Sequence, residues 1–213
     1  MRGRIVPLLL GALALTGCSH QNQLNKANLV KPLDAYLASD NTACVSIGGR
    51  FPIDIPMSLW SVKGGQTREM MALQQAGLVR SSNATAIVHN ADSALTGQYN
   101  APQPVKRYEV TEKGRRYLHL VRGTFGPNDG FCYGKAVVAS IVNWTKPVTH
   151  GNDTETLVTY TYRIEDVANW AKSSTIKPEF PEMKITLNNA GRYLSTPMHR
   201  TARGWVADGA RAS

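Results

Sequence analysis

The chain has 213 residues, 42% of them hydrophobic and 18% charged, with a formal net charge of +9. That is enough for one domain or two small ones with a real core, and no internal repeat or low-complexity tract interrupts it. A basic balance of this size points to nucleic acid, anionic lipid headgroups or acidic glycans as partners, or to a plain solvated surface. Arg2 and Arg4 form a short positive start, and Ile5 to Leu15 is an apolar run ending at Gly17-Cys18. A stable membrane span needs about 20 residues, so this shorter run reads as the apolar region of a secretion signal. No later segment is long and apolar enough to span.

Leu15-Thr16-Gly17-Cys18 resembles the lipobox of bacterial lipoproteins. The resemblance covers the signal and its cleavage site. It implies diacylglyceryl transfer to the Cys18 sulfur, cleavage before Cys18 and N-acylation with a chain such as palmitate. One acyl chain alone binds a membrane marginally, whereas two or three hold a protein without a transmembrane helix. Ser19 follows the cysteine where an aspartate would favour retention at the inner membrane, so the expected site is the outer membrane, facing the periplasm. This compartment removes nucleic acid from the partners. Without Arg2 and Arg4 the charge is +7, on the 196 residues left after the first 17. The two remaining cysteines, Cys44 and Cys132, form an even pair in an oxidising compartment and are a disulfide candidate; two separately buried thiols are the alternative.

Ser19 to Leu33 is polar and lacks strong periodicity, so it reads as a tether, ended by Pro32. Thr42 to Ile47 is a short strand carrying Cys44, stopped by Gly48-Gly49. Phe51 to Pro56 alternates apolar and breaker residues, as an extended edge segment does. Thr67 to Ala76 is a helix with Thr67 as N-cap, Met70 and Leu73 on one face, and Gly77 at the left-handed C′ position. Ser81 to Ala101 reads as a long loop holding one weak strand at Ile87-Val88. Val105 to Val110 is a strand, and Thr111 caps a short helix through Arg115, Arg116 and Tyr117.

Leu73-x-x-Ala76-Gly77-Leu78-Val79, followed by Tyr108-x-Val110-Thr111-x-Lys113-Gly114-Arg115, resembles the second half of a winged-helix domain over about residues 67–118. In that family a helix ends in Gly-Leu, a two-stranded wing follows, and the next helix opens at Thr-x-x-Gly. The family's helix in the DNA major groove needs a basic face. Thr67 to Ala76 carries Arg68 balanced by Glu69, so the resemblance is one of local shape.

Gly126 to Gly130 is a tight-turn cluster. Phe131 to Trp144 reads as one long strand, Lys146 to Asp153 as its connecting loop, and Leu157 to Ile164 as a half-buried antiparallel strand. Asp166 to Lys172 is a helical turn, capped by Asp166, with Trp170 packed. Lys184 to Leu187, Arg192 to Met198 and Gly204 to Val206 read as three meander strands. The expected fold class is α+β: a signal over 1–17, a polar tether over 18–33, a helix-containing, winged-helix-like region over 34–122 and a four- to five-stranded antiparallel β region over 123–213. Cys44 and Cys132 would staple the two regions.

There is no His-Glu-x-x-His, Gly-x-Ser-x-Gly or P-loop pattern, so no catalytic residue, metal or cofactor is expected. His20, His89, His119, His150 and His199 are scattered singly, whereas a metal site needs converging ligands. Asp129 and Glu165 would act as an acid and base pair only if the sheet brought them together. Two clusters stand out. Lys106, Arg107, Tyr108, Lys113, Arg115, Arg116 and Tyr117, with His119 and Arg122, form either a basic-aromatic binding patch or a solvated face. Tyr133, Trp144, Tyr160, Tyr162 and Trp170 would stack on sugars or fill the core. The sequence thus reads as a non-catalytic, lipid-anchored envelope protein that binds an envelope protein partner. The alternatives are an immunity or antibiotic-resistance lipoprotein and a cell-wall hydrolase.

Overall fold

The computed structural model describes residues 22–61, 64–89, 101–123 and 126–209. The expected signal over 1–17, Cys18 and His20 lie outside these residues. The first element is a helix, α1 (Lys26–Ser39), capped by Asn25, whose side-chain oxygen accepts from the Asn28 N–H at 3.0 Å. Leu29, Leu33 and Leu37 recur at i, i+4 and i+8 and are buried. The expected tether over 18–33 is thereby corrected: the chain is helical from Lys26, and Pro32 lies inside the helix. An interior proline costs about 3 kcal/mol. Burying each leucine contributes about 1.5–3 kcal/mol, so three of them outweigh it.

After β1 (Cys44–Ser46) come β2 (Ile53–Pro56), a 3-10 turn over Met57–Ser61 and α2 (Gly65–Gln75). Then follow β3 (Val79–Ala86), β4 (Gln103–Val110) and the short α3 (Glu112–Arg115). α2 starts before Thr67, which is a buried first-turn residue and not the cap. Its end is as expected. Gly77 sits at φ 74°, its N–H bonds the Gln74 carbonyl at 2.9 Å, and the Leu78 N–H bonds the Leu73 carbonyl at 2.9 Å. These are the two bonds of a Schellman cap. The long loop expected from Ser81 is corrected too. β3 runs to Ala86 and pairs with β4 throughout, and Ile87-Val88 lie past its end.

Thr111 explains the Thr-x-x-Gly pattern physically. Its hydroxyl accepts from the Gly114 N–H at 3.0 Å and lies 2.7 Å from the Gly77 carbonyl, to which it donates. Lys113 donates to the Ala76 carbonyl at 2.6 Å, a cation at the carbonyl end of α2. Gly114 packs so closely that an added Cβ would lie 2.0 Å from the Leu78 carbonyl oxygen.

With β5 (Leu118–Gly123), β6 (Gly126–Cys132), β7 (Lys135–Trp144), β8 (Val148–His150), β9 (Asp153–Glu165), β10 (Leu194–Thr201) and β11 (Gly204–Ala207), the strands form three antiparallel sheets, ordered β2-β4-β3, β1-β6-β5 and β11-β10-β9-β7, and β8 pairs with the start of β9. β5 (Leu118–Gly123) and β6 (Gly126–Cys132) form a hairpin. The turn expected over Gly126 to Gly130 is therefore strand. Gly130 is needed because a Cβ there would meet Val121 Cγ1 and the Val45 carbonyl oxygen, each at 2.6 Å. The single strand expected from Phe131 to Trp144 is broken at Gly134. β7 (Lys135–Trp144) pairs with β9 (Asp153–Glu165) as the expected hairpin, and β8 (Val148–His150) occupies the connection. The strand expected at Lys184 to Leu187 is instead within α4 (Pro181–Asn189), which Pro181 opens. The 3-10 turn over Asn169–Lys172 buries Trp170 and is flanked by Ala168, not capped by Asp166.

β10 (Leu194–Thr201) and β11 (Gly204–Ala207) complete the largest sheet. Its two outermost strands in the main order, β7 and β11, both pack on α1, so the sheet curls round the helix. Register shifts between Val138 and Ser140 and between Ile141 and Asn143 bend β7. Asp34 of α1 accepts from the Val138 N–H at 2.7 Å at the first of them. One hydrophobic core joins Leu29, Leu33, Tyr160 and Met198 to Phe131, Trp170, Phe180 and Tyr108. The fold is α+β, with that core running across the expected boundary at 122–123, which falls in the β5–β6 hairpin.

Candidate partner-binding surface

α2 turns Met70 and Leu73 into the core, leaving Arg68, Met71 and Gln75 at helical spacing on another face. This face forms a ridge between two open grooves. One, of about 380 Å³, is lined by Trp60, Met71, Gln74, Gln75 and Lys106. The other, of about 420 Å³, lies between α2 and the segment around Ser174 to Glu179 and shares Met71 and Gln75 with the first.

Trp60 comes from the 3-10 turn that follows β2, and Lys106 from β4. The Lys106 ammonium sits 4.1 Å from the centre of the Trp60 ring, which fixes both side chains by a cation–π contact. The Trp60 indole N–H is buried without a hydrogen-bond partner. Across the ridge, Arg68 pairs with Glu179 at 2.9 Å. Burial, with Glu182 and Glu179 nearby, pushes the Glu69 carboxyl up to about 7.

The structure divides the predicted basic-aromatic patch. Lys106 and Arg107 are adjacent on a strand and point to opposite faces. Arg107 makes two bonds to Asp54, at 2.8 and 2.7 Å, which also hold its guanidinium above its usual pKa. Tyr108 is fully buried and belongs to no surface. Lys113 is engaged by the end of α2, and Arg115 lies 3.7 Å from Glu112. Arg116 and His119 are exposed, Tyr117 packs edge-on against Trp170, and Arg122 lies 3.7 Å from Asp40. The seven residues therefore do not form one patch.

The aromatic cluster goes the same way. Tyr133, Tyr160, Tyr162 and Trp170 are core residues, and Trp144 is half-buried. Asp129 is buried in β6, where it takes Arg50 at 2.8 Å and the Phe51 N–H at 2.8 Å, whereas Glu165 pairs with Arg163. Each carboxylate is thus engaged by its own partners. Among the described residues no group of three or more histidine, cysteine or acidic residues is placed to hold a metal, and His199 contacts only Asp153 among the acidic side chains, at 3.0 Å. Cys44 and Cys132 face each other across β1 and β6 and are joined by a disulfide.

The sequence reading did not single out Trp60, Met71 or Gln75. The available signal was the apolar Met71 on the helix stripe opposite Met70 and Leu73. No protein-family model, curated protein or solved structure matches the chain.

Proposed function

We propose that this is a lipid-anchored envelope protein, held by acyl groups on Cys18 at the periplasmic face of the outer membrane, that binds a protein partner through the α2 ridge. The observation that carries the binding role is the pair of grooves meeting at Met71 and Gln75, one of them walled by the Lys106–Trp60 pair. Half-buried methionine and tryptophan beside exposed amide groups at the rim of shallow grooves suit a protein surface, because they combine apolar contact with adaptable hydrogen bonding. The lipobox pattern at Leu15 to Cys18 and the disulfide support an envelope location.

The order α2, β3, β4, α3, with β2 added beside β4, supports a winged-helix-like reading of the first half. α2 is then the helix that DNA-binding relatives of that shape would use. Its one arginine is committed to Glu179, which favours a protein partner over a phosphate backbone. A toxin or antibiotic target, as in an immunity lipoprotein, would use the same ridge. A hydrolase is favoured by one observation, the raised pKa of Glu69. Glu69 does not line either groove, and its first cause is burial, so the binding reading is preferred.

The test is a photo-crosslinking amino acid at Met71 or at exposed Ser82 of β3, in the full lipoprotein in intact cells, with adducts identified by mass spectrometry. The reading expects one dominant envelope protein from position 71, diminished by Trp60→Ala, and none from position 82. The same background adducts from both positions would refute it.

A further inference from the structure

Asn22, the first described residue, is docked: its backbone carbonyl accepts from the Trp205 indole N–H at 3.3 Å. Trp205 pairs with Arg200 next to the β10–β11 turn. In the same sheet His199 pairs with Glu155, and His150 pairs with Asp153, so the β8–β9 and β10–β11 turns end at the same level. The chain therefore enters the fold at one end of the curled sheet. α1 runs from there for about 21 Å at 1.5 Å per residue. Its far end leads into β1, and the Gln66 side chain ties α2 to the Ile47 carbonyl just beyond β1, at 2.8 Å.

Only four peptide steps separate Cys18 from Asn22. However that segment is arranged, it spans at most about 14 Å. A protein acylated at Cys18 is thus not lifted off the bilayer by a long tether. The end that carries Asn22 must lie close to the headgroups, with the α2 ridge at the other end. The surface there is suited to that position. Lys26, Arg200 and Arg203 are exposed, Val148 is an exposed apolar residue, and of the two acidic groups, Asp153 and Glu155, the first is contacted by His199.

The geometry points to a membrane-contact face, made of the β8–β9 and β10–β11 turns with Arg200 and Arg203, that rests on anionic phospholipid headgroups of the bilayer holding the anchor. It rests on the reading of Cys18 as acylated. Each cation beside an anionic surface strengthens attachment about fivefold, so the two arginines together contribute about 25-fold.

The experiment uses full-length acylated protein in vesicles containing phosphatidylethanolamine and phosphatidylglycerol, with a fluorophore on Ala202→Cys or on Ser82→Cys and a nitroxide on the lipid headgroup as quencher. Acylation of Cys18 is measured by mass on the same preparation. The expected result is strong quenching at position 202 and little at position 82, with the signal at 202 falling in an Arg200→Gln/Arg203→Gln background and in vesicles lacking phosphatidylglycerol. Acylated protein quenched equally at both positions overturns the orientation alone. Quenching at 202 that ignores the arginines and the lipid charge overturns the headgroup contact. A mass without acyl groups at Cys18 overturns the anchor and the inference with it.

Discussion

Replacing Cys44 and Cys132 with serine together removes a crosslink between residues 88 positions apart. In the chain-entropy treatment, closing a loop of that length stabilises the fold by about 4–5 kcal/mol. The folded state should tolerate the change. The two residues lie opposite each other without exchanging backbone bonds: the Cys44 N–H goes to the Asn41 carbonyl and the Cys132 N–H to that of Tyr117. Both are half-buried, and their neighbours Val45 and Phe131, each fully buried, keep the strands in place. The loss should therefore come mainly from the unfolded chain, at about 3–5 kcal/mol, a large share of a typical 5–15 kcal/mol. Urea unfolding followed by circular dichroism measures it, with wild-type protein in reductant as the matched control. The m-value should rise, because the open chain exposes more surface. A loss below about 1 kcal/mol, or no effect of reductant on the wild type, would show that the crosslink does not hold the fold together.

The Glu69 carboxyl, raised from 4.5 to about 7, makes the fold lose stability with rising pH. The fold favours the protonated form, so the stability linked to this group is full below about 4.5, declines across the interval and is gone above about 7. Glu69→Gln should flatten that dependence and, discounted for partial exposure, stabilise the protein at neutral pH by about 1–2 kcal/mol; unchanged melting curves across the interval would contradict it. Gly114→Ala would drive a Cβ to 2.0 Å from the Leu78 carbonyl oxygen and should cost about 3 kcal/mol or more, read by thermal unfolding. Asp34→Ala leaves the Val138 N–H at the β7 bulge without its acceptor and should cost about 1–3 kcal/mol in the same assay.

Elements whose signals are local were legible in the sequence. The β7–β9 hairpin alternates strongly, and α2 ends at Gly77 because its left-handed backbone suits glycine. The cysteine pair followed from compartment and parity. What failed depended on distant partners. Ser19 to Leu33 reads as a polar tether because the buried stripe of α1 is only Leu29, Leu33 and Leu37, and the curled sheet that covers it is formed by residues about a hundred or more positions later. β3 reads as loop because Ser81, Ser82, Asn83 and Thr85 have little strand preference, and pairing with β4 overrides it. The basic-aromatic patch was a run of neighbours in sequence, and strand alternation sends Lys106 and Arg107 apart. The α2 ridge needed Trp60 and Lys106 brought together from separate segments, which no local pattern announces.

In the proposed function, acyl groups on Cys18 hold this protein at the membrane. Metabolic labelling with an alkyne fatty acid, comparing wild type with Cys18→Ser, tests it most directly. The expected result is a labelled, membrane-bound wild type and an unlabelled variant that accumulates at the size of the uncleaved chain. Label retained by Cys18→Ser, or absent from the wild type, would contradict it.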